Sequence, residues 1–76
     1  MSAFVSSKNE AGLCRVVLSE LKAEGVYAFG FESADSPGPE WDYLQDTLDD
    51  AKEFCLERWG VPLDSWAPTT EWPNLR

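Results

Sequence analysis

Two runs near the start of the chain are rich in apolar residues. The runs are Cys14–Leu21 and Val26–Ser33, and the four residues 22–25 separate them. Two such runs with a short turn between them can pair as neighbouring strands. Gly25 can supply the positive φ that a short hairpin loop needs. The pattern therefore predicts an antiparallel hairpin.

The pairing of the two runs follows from the length of the turn. A four-residue turn places Val16 opposite Phe31 and Leu18 opposite Phe29, so that one face of the hairpin is large and apolar. The other face then brings an opposite-charge pair together across the strands, which stabilises a sheet. We expect this apolar face to form the core.

A helical interpretation of the first run stays open. Cys14, Val17 and Leu21 fall at helical spacing, and a glycine follows at the place where such a helix would end. The fold would then be α-β-α, with residues 9–24 helical. Val26–Phe31 would be left as a strand without an obvious neighbour, so the pairing argument favours the hairpin.

A second pattern, with the period of an α-helix, predicts a helix from Leu48 to Trp59. Thr47 is placed to cap its first turn, and Asp50 takes the third helical position of a capping box. Gly60 follows the last turn, where a glycine commonly ends a helix. One stripe of the helix is apolar and comprises Leu48, Ala51, Phe54, Cys55 and Trp59. The opposite side is acidic and comprises Asp49, Asp50, Glu53 and Glu57.

The remaining segments complete the predicted architecture. Residues 1–12 are Ser-rich and polar and are expected to form a loose arm. Two prolines make Ala34–Gln45 a loop, and Trp66–Trp72 is a candidate third strand that Pro68 would confine to an edge. We therefore predict that residues 13–76 form one α+β domain with a two- or three-stranded antiparallel sheet and one helix on a face (ββα or ββαβ). The predicted core residues are Val16, Leu18, Phe29, Phe31, Leu48, Ala51, Cys55 and Trp59.

The hairpin and the helix together resemble a set of small, uncharacterised bacterial proteins. The resemblance lies in Val26-Tyr27-Ala28-Phe29, in the helix start Thr47-Leu48-Asp49-Asp50-Ala51 and in Trp59-Gly60-Val61. In these proteins a hairpin is followed by an "S/T-L-x-x-A" amphipathic helix that ends at glycine. The resemblance covers about half of the chain and implies a fold, but it carries no activity and no functional residue.

The charge is concentrated in one part of the 76-residue chain. Residues 32–57 contain nine acids and one base, whereas the rest of the chain contains five acids and five bases. The whole net charge of −8 therefore lies in this one segment. Such a segment repels nucleic acids and anionic membranes and attracts basic partners.

Several kinds of catalytic chemistry lack their usual residues. The chain contains no histidine, which removes the commonest general base and the commonest metal ligand. Cys14 and Cys55 are expected to be buried thiols rather than nucleophiles, although a bridge between them stays open. Glycines are scattered and form no phosphate-binding loop. We therefore expect no catalytic residue, no metal and no cofactor, and a protein that is not an enzyme.

The function that remains is that of a small acidic protein-binding module, of the inhibitor or regulatory type, that presents its acids to a basic protein surface. The alternative is a subunit of an enzyme whose site forms only on oligomerisation. Trp41 and Tyr43 lie beside these acids in the sequence. They are either hot spots of an interface or a cap on the core. The candidate partner-binding residues are Trp41, Asp42, Tyr43, Asp46, Asp49, Asp50, Glu53 and Glu57. No leader or spanning segment is visible, so the expected location is cytoplasmic.

Overall fold

Five antiparallel strands form a single sheet in the computed structural model, which describes residues 2–21, 24–33, 35 and 38–69. One helix packs on one face of this sheet within those ranges. The elements in chain order are β1 (Ser2–Ser6), β2 (Arg15–Leu21), β3 (Gly25–Phe31), β4 (Trp41–Gln45), α1 (Leu48–Trp59) and β5 (Ala67–Pro68). The order across the sheet is β4-β3-β2-β1-β5.

The α+β class is right, but the predicted number of strands is wrong. Two strands come from segments that were expected to be irregular: β1 lies in the expected loose arm, and β4 lies in the expected loop 34–45. The α-β-α alternative is wrong as well, because residues 15–21 form β2 rather than a helix.

Strand β1 forms because three apolar residues follow Ser2 and find partners on β2. Phe4 lies opposite Leu18, and Val5 lies opposite Val17. The connection from β1 to β2 is ordered by Asn9. Its Oδ1 accepts hydrogen bonds from the backbone N–H groups of residues 11 and 13, at 3.0 and 2.9 Å, and its Nδ2 donates to the carbonyl of residue 13. The side chain of Asn9 thus bonds backbone groups of this connection that no regular secondary structure pairs.

The hairpin of β2 and β3 exists, but its register differs by one residue from the prediction. Leu21 pairs with Gly25, so the loop contains three residues instead of four. Leu18 consequently lies opposite Ala28, and Val16 lies opposite Gly30. A slip of one residue moves every side chain of a strand to the other face of the sheet.

The shifted register changes which residues of β3 face the helix. Val26 and Ala28 belong to the core cluster beneath α1. Phe29 instead lies half-buried on the opposite face, where it stacks on Tyr27 with a ring centroid distance of 5.5 Å. Phe31 is 1 % exposed on that same face, with the guanidinium of Arg15 4.5 Å from its ring centroid. The prediction that both phenylalanines pack against α1 is therefore wrong.

The helix matches its prediction at both ends. Thr47 caps α1, and its Oγ1 accepts a hydrogen bond from the N–H of Asp50 at 3.1 Å. Gly60 adopts the left-handed conformation at φ 68° and ends the helix. Ala51, Cys55 and Trp59 are buried, as the apolar stripe predicts.

Small residues on the sheet let the helix approach closely. A Cβ atom at Gly30 would lie only 3.2 Å from the ring of Trp59, so the indole occupies the space above this glycine. The buried residues of the core are Leu13, Val16, Leu18, Val26, Ala28, Ala51, Cys55, Trp59 and Val61. The core beneath the helix is therefore built from aliphatic side chains, one thiol and one large indole, and the phenylalanines of β3 lie on the other face of the sheet.

The chain crosses the whole sheet after β4. β4 and β5 lie at opposite edges of the sheet, and α1 is part of the connection between them. β5 has only two residues, which pair with Phe4 and Val5 of β1. The predicted strand over residues 66–72 is thus an edge strand that contains Pro68, and residues 70–72 lie outside the described ranges.

Candidate binding surface

We call the seven acids of β4, its flanking turns and α1 the acidic band. All seven side chains are exposed to solvent. The members of the acidic band are Glu40, Asp42, Asp46, Asp49, Asp50, Glu53 and Glu57. The exposure of the four helix acids follows from the same periodicity that buries Ala51 and Cys55 on the other side of the helix.

Four members of the band lie on the solvent side of α1. Asp49, Glu53 and Glu57 are spaced four residues apart, and Asp50 lies beside Glu53 at a spacing of three. Residues at these spacings are neighbours on a helix surface, about 5–6 Å apart between their Cβ atoms. The first-turn acids Asp49 and Asp50 are stabilised by the helix dipole, but the later two are not.

Asp42 lies on the opposite face of the sheet from the helix. Trp41 and Tyr43 pack against the core beneath α1, and side chains alternate along β4, so Asp42 and Leu44 project from the other face. Asp46 lies in the turn between β4 and α1. The acidic band therefore extends from the solvent side of α1 to the opposite face of the sheet at β4.

The two bases of α1 contact aromatic rings instead of the acids. Arg58 donates a hydrogen bond from Nη2 to the hydroxyl oxygen of Tyr43 at 3.0 Å, and its guanidinium lies 5.2 Å from the centre of that ring. The ammonium group of Lys52 lies 5.7 Å from the ring centre of Phe4. Among the residues that the structure describes, no ion pair involves Asp42, Asp46 or the four helix acids. Most of the negative charge of the band is thus available to a partner.

The two aromatic residues of the predicted site have a structural role. Trp41 and Tyr43 are half-buried and pack against the core cluster. The ring of Tyr43 lies 5.0 Å from that of Phe54 and 5.9 Å from that of Trp59. The eight predicted partner-binding residues thus lie on β4, in the turn after it and on α1, and the two aromatics among them support the core beneath the helix.

Sequence reasoning missed one exposed apolar residue in this region. Leu44 is 50 % exposed and projects from the same face of β4 as Asp42. The signal that could have located it is the alternation Trp41-Asp42-Tyr43-Leu44, which is typical of a strand with one buried face. The nearby prolines led instead to the prediction of a loop.

The thiols show no sign of activation. Both cysteines are free; Cys55 is buried and Cys14 is half-buried. Burial raises the pKa of the Cys55 thiol from 9.0 to about 12, because the low-polarity core disfavours the thiolate. The nucleophilic form of this cysteine is therefore inaccessible near neutral pH. In the described ranges, no group of three or more cysteine and carboxylate side chains is arranged to hold a metal ion.

Because the Cys55 thiol is buried, we expect the folded protein to lose stability at alkaline pH. Between pH 9 and pH 12 the unfolded chain releases the Cys55 proton while the folded chain retains it. The free energy of unfolding should therefore fall by about 1.4 kcal/mol per pH unit from this group in that window. Urea denaturation at several pH values measures the slope.

Two alanine variants separate this slope from the titration of other groups. Cys55→Ala should show a shallower loss of stability above pH 9 than the wild type, whereas Cys14→Ala should keep the wild-type slope. Identical slopes in all three proteins would contradict the assignment to Cys55.

Comparison of the chain with known protein families, characterised proteins and solved structures gave no match. The resemblance to small bacterial proteins therefore stays a prediction based on the hairpin and helix residues. Within the described part of the chain, no helix is long and apolar enough to cross a bilayer.

Proposed function

We propose that this protein is a small protein-binding module whose acidic band docks on a basic surface of a partner protein. The observation that supports the proposal is the exposure of all seven acids of the band, six of them without an ion pair in the described structure. An acidic surface of this kind accelerates association with a basic partner and orients it.

The cost of the arrangement also supports a binding role. Acids at helical spacings of three and four repel each other, which costs roughly 0.2–0.5 kcal/mol for each pair. Lys52 and Arg58, which could relieve the repulsion, contact Phe4 and Tyr43 instead. A basic partner would offset this repulsion, so the acids that weaken the isolated helix would strengthen the complex.

The proposal gives the chain no catalytic role and places it in the cytoplasm. Both thiols are free, and Cys14 is only half-buried, which is compatible with a reducing compartment. The raised pKa of Cys55 removes the more buried thiol as a nucleophile. Binding through the acidic band is thus the activity that we propose.

The proposal is tested by replacing the four helix acids with their amides. The band variant carries Asp49→Asn, Asp50→Asn, Glu53→Gln and Glu57→Gln, and the probe is an immobilised synthetic octalysine peptide. We expect association at low salt to slow on the order of tenfold, because electrostatic steering depends on the local field. The rate of the wild-type protein should also fall steeply between low and physiological salt. Surface plasmon resonance measures both rates.

A matched control has the same net charge but an intact band. It carries Glu10→Gln, Glu20→Gln, Glu24→Gln and Asp64→Asn, which lie outside the band. This control should associate nearly as fast as the wild type. Equal rates for the band variant and the control would mean that only net charge matters, and the acidic band would then be a solvated surface. Circular dichroism checks that both variants keep the fold.

A further inference from the structure

We infer that the outer edge of β4 accepts an extended segment of the basic partner as an additional strand of the sheet. This inference rests on the proposed function and specifies how the partner is held. Edge strands present a row of backbone N–H and C=O groups that can pair with another chain. Addition of a strand obtains affinity from these groups and specificity from the side chains that flank them.

The geometry of β4 is suited to this role. All five residues, Trp41–Gln45, pair in a continuous register with β3, so the strand has no bulge over this length. β4 is the terminal strand of the sheet, and no described residue forms a strand on its outer side. The strand contains no proline and no lysine, two residues that commonly protect an edge.

The other edge of the sheet provides an internal comparison. β5 is only two residues long and includes Pro68, which has no backbone N–H to donate. A strand this short, with a proline, cannot serve as a template for a further strand. In the described chain, β4 is therefore the edge that can be extended.

The side chains of β4 select the partner. Asp42 and Leu44 are exposed, project from the same face and lie two residues apart. On an added strand, their neighbours would also lie two residues apart on one face. A basic residue opposite Asp42 and an apolar residue opposite Leu44 would complement them, and the acids of the turn and helix would attract further bases. The partner segment is thus extended and basic, with an apolar residue two positions from a base.

A second copy of this chain fits the edge poorly. If two β4 strands paired antiparallel about Tyr43, Asp46 of one copy would approach Glu40 of the other. If they paired in parallel and in register, the two Asp42 side chains would lie side by side. Like charges on adjacent strands are destabilising, and each copy carries a net charge of −8. The charges therefore favour a basic partner over self-association.

The first experiment compares two peptides of equal charge. One is acetyl-Lys-Lys-Val-Val-Lys-Lys-amide, in which each face of the extended peptide carries a base and a valine two positions apart, and the other has the same sequence with a methyl group on every backbone nitrogen. We expect the unmethylated peptide to bind the wild-type protein on the order of tenfold more tightly, because several backbone hydrogen bonds are lost on methylation. Isothermal titration calorimetry measures the affinities. Hydrogen exchange should also slow at amides of Trp41–Gln45 when the unmethylated peptide binds.

The second experiment changes the edge itself. Leu44→Lys places a positive charge beside the added strand, whereas Leu63→Lys makes the same change at another half-exposed leucine, which lies outside the strands and the helix. Binding of the unmethylated peptide should weaken at least about fivefold more in Leu44→Lys than in Leu63→Lys. Both substitutions are at exposed positions, so both proteins should fold.

The outcomes separate this inference from the proposed function. Equal affinity for the two peptides, with no change in exchange along β4, would overturn strand addition and leave binding by charge intact. Failure of both peptides to bind even at low salt would overturn both. A dimer that forms at micromolar concentration without peptide, and that protects the amides of β4, would assign the edge to a second copy and overturn the inference.

Discussion

Replacement of Trp59 by alanine is expected to lower the free energy of unfolding by about 3–5 kcal/mol, the usual cost of removing a large buried aromatic side chain. The indole is only 6 % exposed. It fills the space above Gly30 and lies within 6.0 Å of the rings of Tyr43 and Phe54. Small domains have a total stability of about 5–15 kcal/mol, so this one change should remove a large part of it. Urea denaturation followed by far-ultraviolet circular dichroism measures the loss.

Phe29→Ala is the matched control for the Trp59 variant. The register of β3 puts Phe29 half-buried on the face away from α1, so its replacement should cost distinctly less than that of Trp59. In the register that a four-residue loop would give, Phe29 would lie in the core, and the two losses of stability would be similar. Similar losses would therefore contradict the observed register.

Gly25→Ala is expected to cost on the order of 3 kcal/mol, because it combines backbone strain with a collision. Gly25 has φ 119°, a conformation that residues with a side chain rarely adopt. A Cβ atom there would also collide with the carbonyl oxygen of Gln45, which is a backbone atom of β4. Relief of the collision requires β4 to move away from β3. Thermal and urea denaturation should both show the loss.

Alanine variants at two other glycines distinguish the cost of backbone strain from the cost of the steric collision. Gly12 also has a positive φ, of 80°, but a Cβ atom there would meet nothing within 4 Å, so Gly12→Ala should show backbone strain alone. Gly38 is equally open and is not among the positive-φ glycines. Gly38→Ala should therefore be neutral or slightly stabilising. A loss in Gly25→Ala no greater than that in Gly12→Ala would show that the approach of β4 to Gly25 is looser than the structure indicates.

The helix could be predicted from the sequence because its signals are local. Thr47, Gly60 and the spacing of the apolar residues all lie within a few positions of one another, and each has its own physical effect on the helix. The exposure of Asp49, Asp50, Glu53 and Glu57 follows from the same spacing. These acids are the part of the candidate surface that sequence reasoning placed correctly.

The register of the hairpin could not be predicted because it depends on one residue of loop length. The prediction assumed that the phenylalanines of β3 would form the core. The helix instead packs over Ala28 and Gly30, since small residues there allow Trp59 to approach the sheet. Packing between distant segments therefore decided which face of β3 is covered, and no local pattern contains that information.

The position of Asp42 on the sheet could not be predicted either. It depends on Trp41–Gln45 being a strand, and this strand is stabilised by its pairing with β3. Two prolines just before it gave the stronger local signal for a loop. Asp42 was identified as a candidate, but its place on the face away from α1 followed only from the sheet.

The crossing from β4 to β5 imposes an order on folding. The pairs β1–β2, β2–β3 and β3–β4 each join neighbouring segments, so they can form as successive hairpins at a small entropic cost. The pairing of Val5 with Ala67 instead joins segments from near the two ends of the chain. It can gain its hydrogen bonds only after α1 has docked and brought the ends together, because non-local contacts follow loop closure. The β1–β5 edge is therefore the last part of the sheet to assemble and, with only two paired residues, the first to open in the folded protein.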